Sequence, residues 1–155
     1  MPTDRTLDLS VYVVGQQFMN GAFEAQVTYI ETASNPSSPG LVNFRNGNID
    51  LTNLGRDPNF SQNVDITFTL VPFMFDKSGN PVQAVWATPI TKAIAITGPN
   101  LGEMTPSYIN PTKILLDDND NDSNQYQYKL AFILPAYDNY FIGCDPVIVN
   151  KGGAR

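Results

Sequence analysis

The sequence contains no histidine and a single cysteine, Cys144, and both facts exclude much chemistry. Without histidine, the chain by itself builds neither a Ser-His-Asp or Cys-His catalytic site nor a histidine-ligated metal centre. A lone cysteine forms neither an internal disulfide nor a cysteine cluster. Because Cys144 follows the apolar residues 140–142, we expect a small buried hydrophobe rather than a catalytic thiol. We expect no cofactor.

Charged residues are also scarce, at 15% of the chain, against a typical ~25%. The net charge is −6 and no two basic residues are adjacent, which argues against nucleic-acid binding through phosphate contacts. No apolar stretch approaches the ~20 residues of a membrane helix, and the first residues lack the parts of a signal peptide. We therefore expect a cytoplasmic protein without nucleic-acid or membrane partners. The sequence leaves open a protein partner or a homo-oligomer.

The composition favours turns and strands over helices. The 155 residues include 16 Asn, 12 Pro and 11 Gly, but only three Glu and five Lys, so turn formers outnumber helix formers. The length predicts one domain, residues 1–155, and the hydrophobic share of 42% supports a real core.

Apolar residues recur with a period of two, the pattern of half-buried strands. The pattern is clearest at 7–14, 63–70 and 126–134; weaker candidates are 24–31, 41–45, 48–52, 83–87, 92–97, 113–116, 139–144 and 146–150. Residues 16–31 are the best helix candidate, but Gly21 and the run 27–30 favour a strand. Asn46-Gly47 predicts a tight hairpin. Many short strands predict an all-β fold, either an antiparallel sandwich or a barrel.

The acidic run 117–122 is the one candidate metal site. Asp118, Asp120 and Asp122 fit the first three ligand positions of a calcium loop. However, Ser123 stands where that loop needs glycine, and Lys129 stands where it needs glutamate. The favoured interpretation is a solvated connection between two strands, and a weak calcium site is the alternative.

The bond between Asp145 and Pro146 is chemically unusual. The aspartyl carboxyl can reach its own main-chain carbonyl through a five-membered ring, and the departing nitrogen is a relatively basic secondary amine. A fold that holds the carboxyl in attack geometry, or positions a water, would accelerate cleavage. The alternative is purely architectural, because proline is ordinary at the start of an edge strand.

A hairpin places a lysine at this bond. If 126–134 pairs with 140–146 through the loop 135–139, Lys129 lies directly opposite Asp145. Directly opposed residues have Cβ atoms roughly 4.5–5.5 Å apart, so the lysine would hold the carboxylate or intercept an activated carbonyl. A slip of one residue would place Cys144 there instead.

These segments resemble the DP-EP family of small bacterial proteins. The matching features are a short N-terminal strand, Asn46-Gly47-Asn48-Ile49, Val64-Asp65-Ile66-Thr67-Phe68, the late Tyr-x-Tyr-x-Leu-x-Phe strand, and Asp145-Pro146-x-Ile148-x-Asn150. The resemblance implies a β-sandwich. Together with the strand pattern it predicts an antiparallel, immunoglobulin-like β-sandwich of roughly 8–10 short strands.

The resemblance also implies a self-cleaving, aspartic peptidase-like activity. The cut would fall at Asp145-Pro146, residues 146–155 would be the strand and tail released, and Lys129 would be the linking lysine. Asp138 is the candidate for the acid that activates water, with Asp65 as the second choice. The alternatives are a non-enzymatic structural or interaction module and a sugar-binding module that uses exposed aromatic residues.

Overall fold

The computed structural model describes residues 3–55, 57–120, 124–144 and 147–149. Within them the chain is all-β, as the sequence predicts. The strands are β1 (Thr3–Gln17), β2 (Phe23–Asn35), β3 (Ile49–Asp50), β4 (Phe60–Phe75), β5 (Pro81–Val82), β6 (Val85–Trp86), β7 (Ile94–Thr97), β8 (Met104–Asn110), β9 (Lys113–Asp118), β10 (Gln125–Leu134), β11 (Tyr140–Cys144) and β12 (Val147–Val149). One short helix, α1 (Ile90–Ala93), and the 3-10 turns Leu51–Asn53, Leu101–Glu103 and Pro135–Tyr137 complete the described elements.

The first sheet has the order β2-β1-β4-β9-β8, with β5 paired to the end of β4. The strands β1 and β4 present every second residue to the core, because successive side chains of a strand point to opposite faces. The inward residues are Leu7, Leu9, Val11, Val13, Val64, Ile66, Phe68 and Leu70, all buried. The period of two in the sequence is confirmed for both strands.

The second sheet is arranged around β10. On one side β10 pairs with β11 and then with β12, and on the other side with β6 and β7. β3 lies beyond β12. The residues of β10 that face the core are Tyr126, Tyr128, Leu130, Phe132 and Leu134, each no more than 1% exposed.

Phe68 and Tyr128 bring the two sheets into contact. Their ring centroids are 5.5 Å apart, and the Tyr128 hydroxyl donates a 2.7 Å hydrogen bond to the carbonyl oxygen of Gly47. Burial raises the pKa of Tyr128 well above its usual value. Gly47 has a φ of 75°, and a Cβ on it would lie 2.7 Å from the Tyr29 ring. Both the turn and the packing therefore require glycine here.

The sheets are mixed rather than purely antiparallel. β1 runs parallel to β4, and β12 runs parallel to β3. β1 and β2 form an antiparallel hairpin. The connection between β2 and β4 crosses to the other edge of β1, so that β4 runs in the same direction as β1. The central strands are also longer than expected, with 15 residues in β1 and 16 in β4.

Three local features differ from the sequence predictions. Residues 41–45 form a turn with a single bridge between Val42 and Ile49 instead of a hairpin strand. The first part of 92–97 belongs to α1, a one-turn helix despite the neighbouring prolines. β8 was missed because it contains Pro106, which an edge strand tolerates since one side of its backbone needs no ladder partner.

Among the described residues, no helix is both long enough and apolar enough to cross a membrane.

Candidate functional site

The hairpin register on which the self-cleavage hypothesis depends is confirmed in the described residues. β10 and β11 pair from Leu134 with Tyr140 to Leu130 with Cys144. The same register holds where β10 pairs with β12, from Gln127 with Val147 to Gln125 with Val149. The loop between the strands is the predicted 135–139. The two residues of the scissile bond, Asp145 and Pro146, lie outside the described residues.

Lys129 is exposed on the outer face of β10. On the side away from β11 and β12 it pairs with Ala95 of β7. The side chain therefore projects from the second sheet to the surface rather than into the core.

The structure does not bring Asp138 to Lys129. Asp138 lies in the hairpin loop, exposed, with a φ of 53°. Lys129 is five residues before Leu134, the residue at which β10 enters the loop, and this separation corresponds to about 16 Å along the strand. The hairpin thus separates the loop that carries Asp138 from the position of Lys129, and the role of Asp138 as the acid that activates water stays a prediction.

Asp65, the second choice for that role, lies on the other sheet. Asp65 is on the outer face of β4, where it is directly opposite Asp117 of the neighbouring strand β9. Asp4 lies close to both carboxylates. Burial raises the pKa of Asp65, and the neighbouring carboxylates Asp4 and Asp117 raise it further. Burial and Asp4 likewise raise the pKa of Asp117. These carboxylates repel one another and are remote from the hairpin.

Replacing Asp65 by Asn is expected to stabilise the protein at neutral pH by several tenths of a kcal/mol, because like charges directly opposite each other destabilise a sheet. The folded-state pKa of Asp65 lies above its unfolded value of 3.8, so folding takes up a proton between the two. Stability from this group is therefore greatest below the unfolded value and is lost as pH rises through the folded value.

Urea unfolding between about pH 3 and about pH 7 checks this, and the gain should vanish at the acidic end, below the unfolded pKa. Asp138→Asn is the matched control, since it removes one charge from an exposed loop. An equal gain from both variants would mean that overall net charge, and not the carboxylate cluster, is responsible.

In the described part of the acidic run, residues 117–120, two aspartates are buried, contrary to the solvated connection expected. Asp118 and Asp120 are both 0% exposed. The Asp120 carboxylate accepts a 2.6 Å hydrogen bond from the guanidinium of Arg5, which also donates to the carbonyl oxygen of Gln62. Asp118 Oδ1 accepts the Asp120 backbone N–H at 2.8 Å. The arginine supplies the positive charge that the calcium hypothesis assigned to a metal.

The described residues contain no group of three or more acidic or thiol side chains arranged to hold a metal. The third calcium candidate, Asp122, lies outside the described residues. Cys144 packs beside the core, partly buried, and its Sγ donates a 3.4 Å hydrogen bond to the carbonyl oxygen of Leu130.

A groove of about 780 Å³ lies on the outer face of the second sheet. Small residues form its floor: Ala95 of β7, Ala131 of β10, Gly143 of β11, and Ala87 directly after β6. Ala131 pairs with Gly143, and its carbonyl oxygen accepts the N–H of Ala87 at 3.0 Å. Side chains this short leave an unfilled depression where larger residues would cover the backbone.

Larger apolar residues form one wall of the groove. Ile133 of β10 pairs with Phe141 of β11, and Phe141 is 55% exposed, which is high for a large aromatic residue. Leu130 also contributes to the apolar lining.

The rim of the groove is polar and carries two lysines. Thr88, Thr91 and Lys92 come from the segment around α1, Lys129 from β10, and Asn139 from the hairpin loop. The described lining contains neither a carboxylate nor a thiol. Of these lining residues, only Lys129 was predicted as a site residue from the sequence, because the groove combines three separate chain segments, 87–95, 129–133 and 139–143, and no single one has a binding motif.

No protein-family model and no curated protein matches this chain. One solved structure that this chain matches weakly is the inclusion body protein PixA from Burkholderia cenocepacia J2315. The comparison covers 96% of this chain and 97% of that chain, with 7% sequence identity and a TM-score of 0.36. Values this low establish neither a common family nor a common function, so the DP-EP resemblance stays a prediction.

Proposed function

We propose that this protein is a non-catalytic binding module whose site is the groove on the second sheet. The observation that carries the proposal is the groove itself. Its volume of about 780 Å³ falls within the roughly 300–1,000 Å³ of small-molecule sites, which combine an apolar lining with a few polar groups. Beside its two lysines the described lining holds no carboxylate or thiol, so we assign the groove a binding role rather than a catalytic one.

Narrowing the groove tests the proposal. A Cβ on Gly143 would meet Phe141 Cε1 at 3.6 Å and the Leu130 carbonyl oxygen at 3.8 Å, which are ordinary contacts. Gly143→Val therefore places a side chain in the groove without disturbing the strand, where β-branched residues are favoured. Thr28→Val, at an exposed position of β2, is the matched control.

The probes are 2-naphthoate and its neutral analogue 2-naphthamide, followed by amide chemical shifts in two-dimensional NMR. We expect at least one probe to shift the amides of Ala95, Ala131 and Gly143 in the wild type and in Thr28→Val. Binding should weaken at least tenfold in Gly143→Val. Absence of binding by either probe, or unchanged binding in Gly143→Val, would contradict the proposed site.

The second candidate function is self-processing at Asp145-Pro146, and the hairpin register supports it. The pairs on both sides of this bond have the register that the hypothesis requires. In the hydrolytic route one water is added and residues 146–155 leave with a Pro146 amine. In the lysine route the Lys129 nitrogen bonds to the Asp145 carbonyl carbon, the bond to the proline nitrogen breaks, and a proton passes from the amine to that nitrogen.

Intact mass spectrometry of aged protein at mildly acidic pH tests this function. Hydrolysis gives the fragments 1–145 and 146–155, and the lysine-linked product is lighter than hydrolysed 1–145 by one water. Asp145→Ala should abolish both products and Lys129→Arg only the linked one, whereas Asp57→Ala, at the other Asp-Pro bond, should change neither. A chain that stays whole for weeks would rule the function out.

A further inference from the structure

We infer that the groove selects a small organic anion with a flat apolar body, such as an aromatic carboxylate. The inference rests on the binding function proposed above and names its ligand class. It follows from the distribution of charge and apolar surface around the groove.

Positive charge is concentrated at this groove. The chain has five lysines and a net charge of −6, yet two of those lysines, Lys92 and Lys129, lie on one rim. Both are exposed. Lys92 belongs to α1, which leads directly into β7, and Lys129 pairs with Ala95 of β7. Ala95 is therefore directly opposite Lys129 in the sheet and three residues after Lys92 in the chain.

Lys92 is the principal anion-binding group. The ion pair found among the described residues joins Arg5 to Asp120 and does not involve Lys92. Because the chain as a whole is acidic, an anion is repelled by most of the surface, and a cation that has no carboxylate partner among the described residues becomes the local point of attraction. Hydrogen bonds between a charged donor and a carboxylate are about twice as strong as neutral ones.

The rest of the lining defines the remainder of the ligand. Thr88, Thr91 and Asn139 add hydroxyl and amide donors beside the lysines, as carboxylate oxygens require. Ile133 and the exposed ring of Phe141 provide an apolar wall on which a flat ring packs. A fully polar anion such as inorganic phosphate leaves this wall uncovered.

Calorimetric titration with 2-naphthoate and with neutral 2-naphthamide tests the inference, because the two share a ring system and differ in charge. We expect the anion to bind at least about tenfold more tightly, the effect of one charge-assisted hydrogen bond. Raising the salt concentration should weaken binding of the anion and leave that of the amide unchanged.

The preference for 2-naphthoate over 2-naphthamide should fall to about twofold or less in Lys92→Gln and should return in Lys92→Arg, which restores the charge. Lys113→Gln, on the first sheet, is the matched control and should show the same preference for 2-naphthoate as the wild type. Equal affinities for the two probes in the wild type would overturn the inference while the binding function stands. Failure of both probes to bind would overturn the binding function as well.

Discussion

Asp120→Asn is expected to lower the free energy of unfolding by about 3–5 kcal/mol, because it leaves the Arg5 guanidinium as an uncompensated buried charge. Arg5 is 1% exposed and Asp120 0%, and their charged groups are 2.6 Å apart. Asparagine suits this position, because Asp120 has a φ of 48° and asparagine tolerates left-handed backbone. The loss therefore measures the removed charge rather than backbone strain.

A double-mutant cycle separates the ion pair from the packing around it. Arg5→Met/Asp120→Asn leaves neither charge of the pair buried, so it should recover most of the stability that the single variant loses. Urea unfolding measures each variant. Arg45→Met, which removes an exposed arginine, is the control and should change stability by about 0.5 kcal/mol or less. A cost below about 1 kcal/mol for Asp120→Asn would mean that the pair is solvated.

Phe68→Ala should destabilise the protein by about 3–5 kcal/mol, the usual cost of removing a fully buried phenylalanine. Phe68 is 0% exposed and packs on Tyr128 of the opposite sheet, 5.5 Å between ring centroids. The variant therefore opens a cavity at the contact between the sheets. The melting temperature and the urea midpoint report the loss.

Phe73→Ala, on the same strand, is the matched control. Phe73 points to the outer face and is 48% exposed, so its truncation removes much less buried surface and should cost about 1 kcal/mol or less. Equal losses in the two variants would contradict the alternation of faces along β4, on which the placement of the core depends.

These variants separate residues that stabilise the fold from residues that line the candidate site. The acidic run drew attention as a metal loop, but its buried members hold the N-terminal strand to the end of β9 through Arg5. Asp65 takes part in a repulsive carboxylate cluster on the outside of the first sheet. Lys129 is the sequence-predicted residue that the described structure places in the groove.

Local pattern determined most of the strands. A period of two specifies which face of a strand is buried, so β1, β4 and β10 could be predicted with their core residues. The loop 135–139 likewise specified the register of β10 with β11 and β12, because a hairpin loop of known length leaves one pairing for each residue. Asn46-Gly47 correctly predicted the position of a turn, but the turn spans residues 43–48 instead of the two residues of a tight hairpin.

Tertiary structure alone decided where the distant segments meet. Nothing near the acidic run shows that Arg5, 115 positions away in the chain, neutralises Asp120, because that pairing follows from β1 and β9 lying on either side of β4. The groove could not be predicted either, since alanine and glycine carry no signal in the sequence until the sheet places Ala87, Ala131 and Gly143 side by side. Side-chain periodicity is a property of one strand, whereas a cavity or a buried ion pair is a property of how strands are ordered in the sheets.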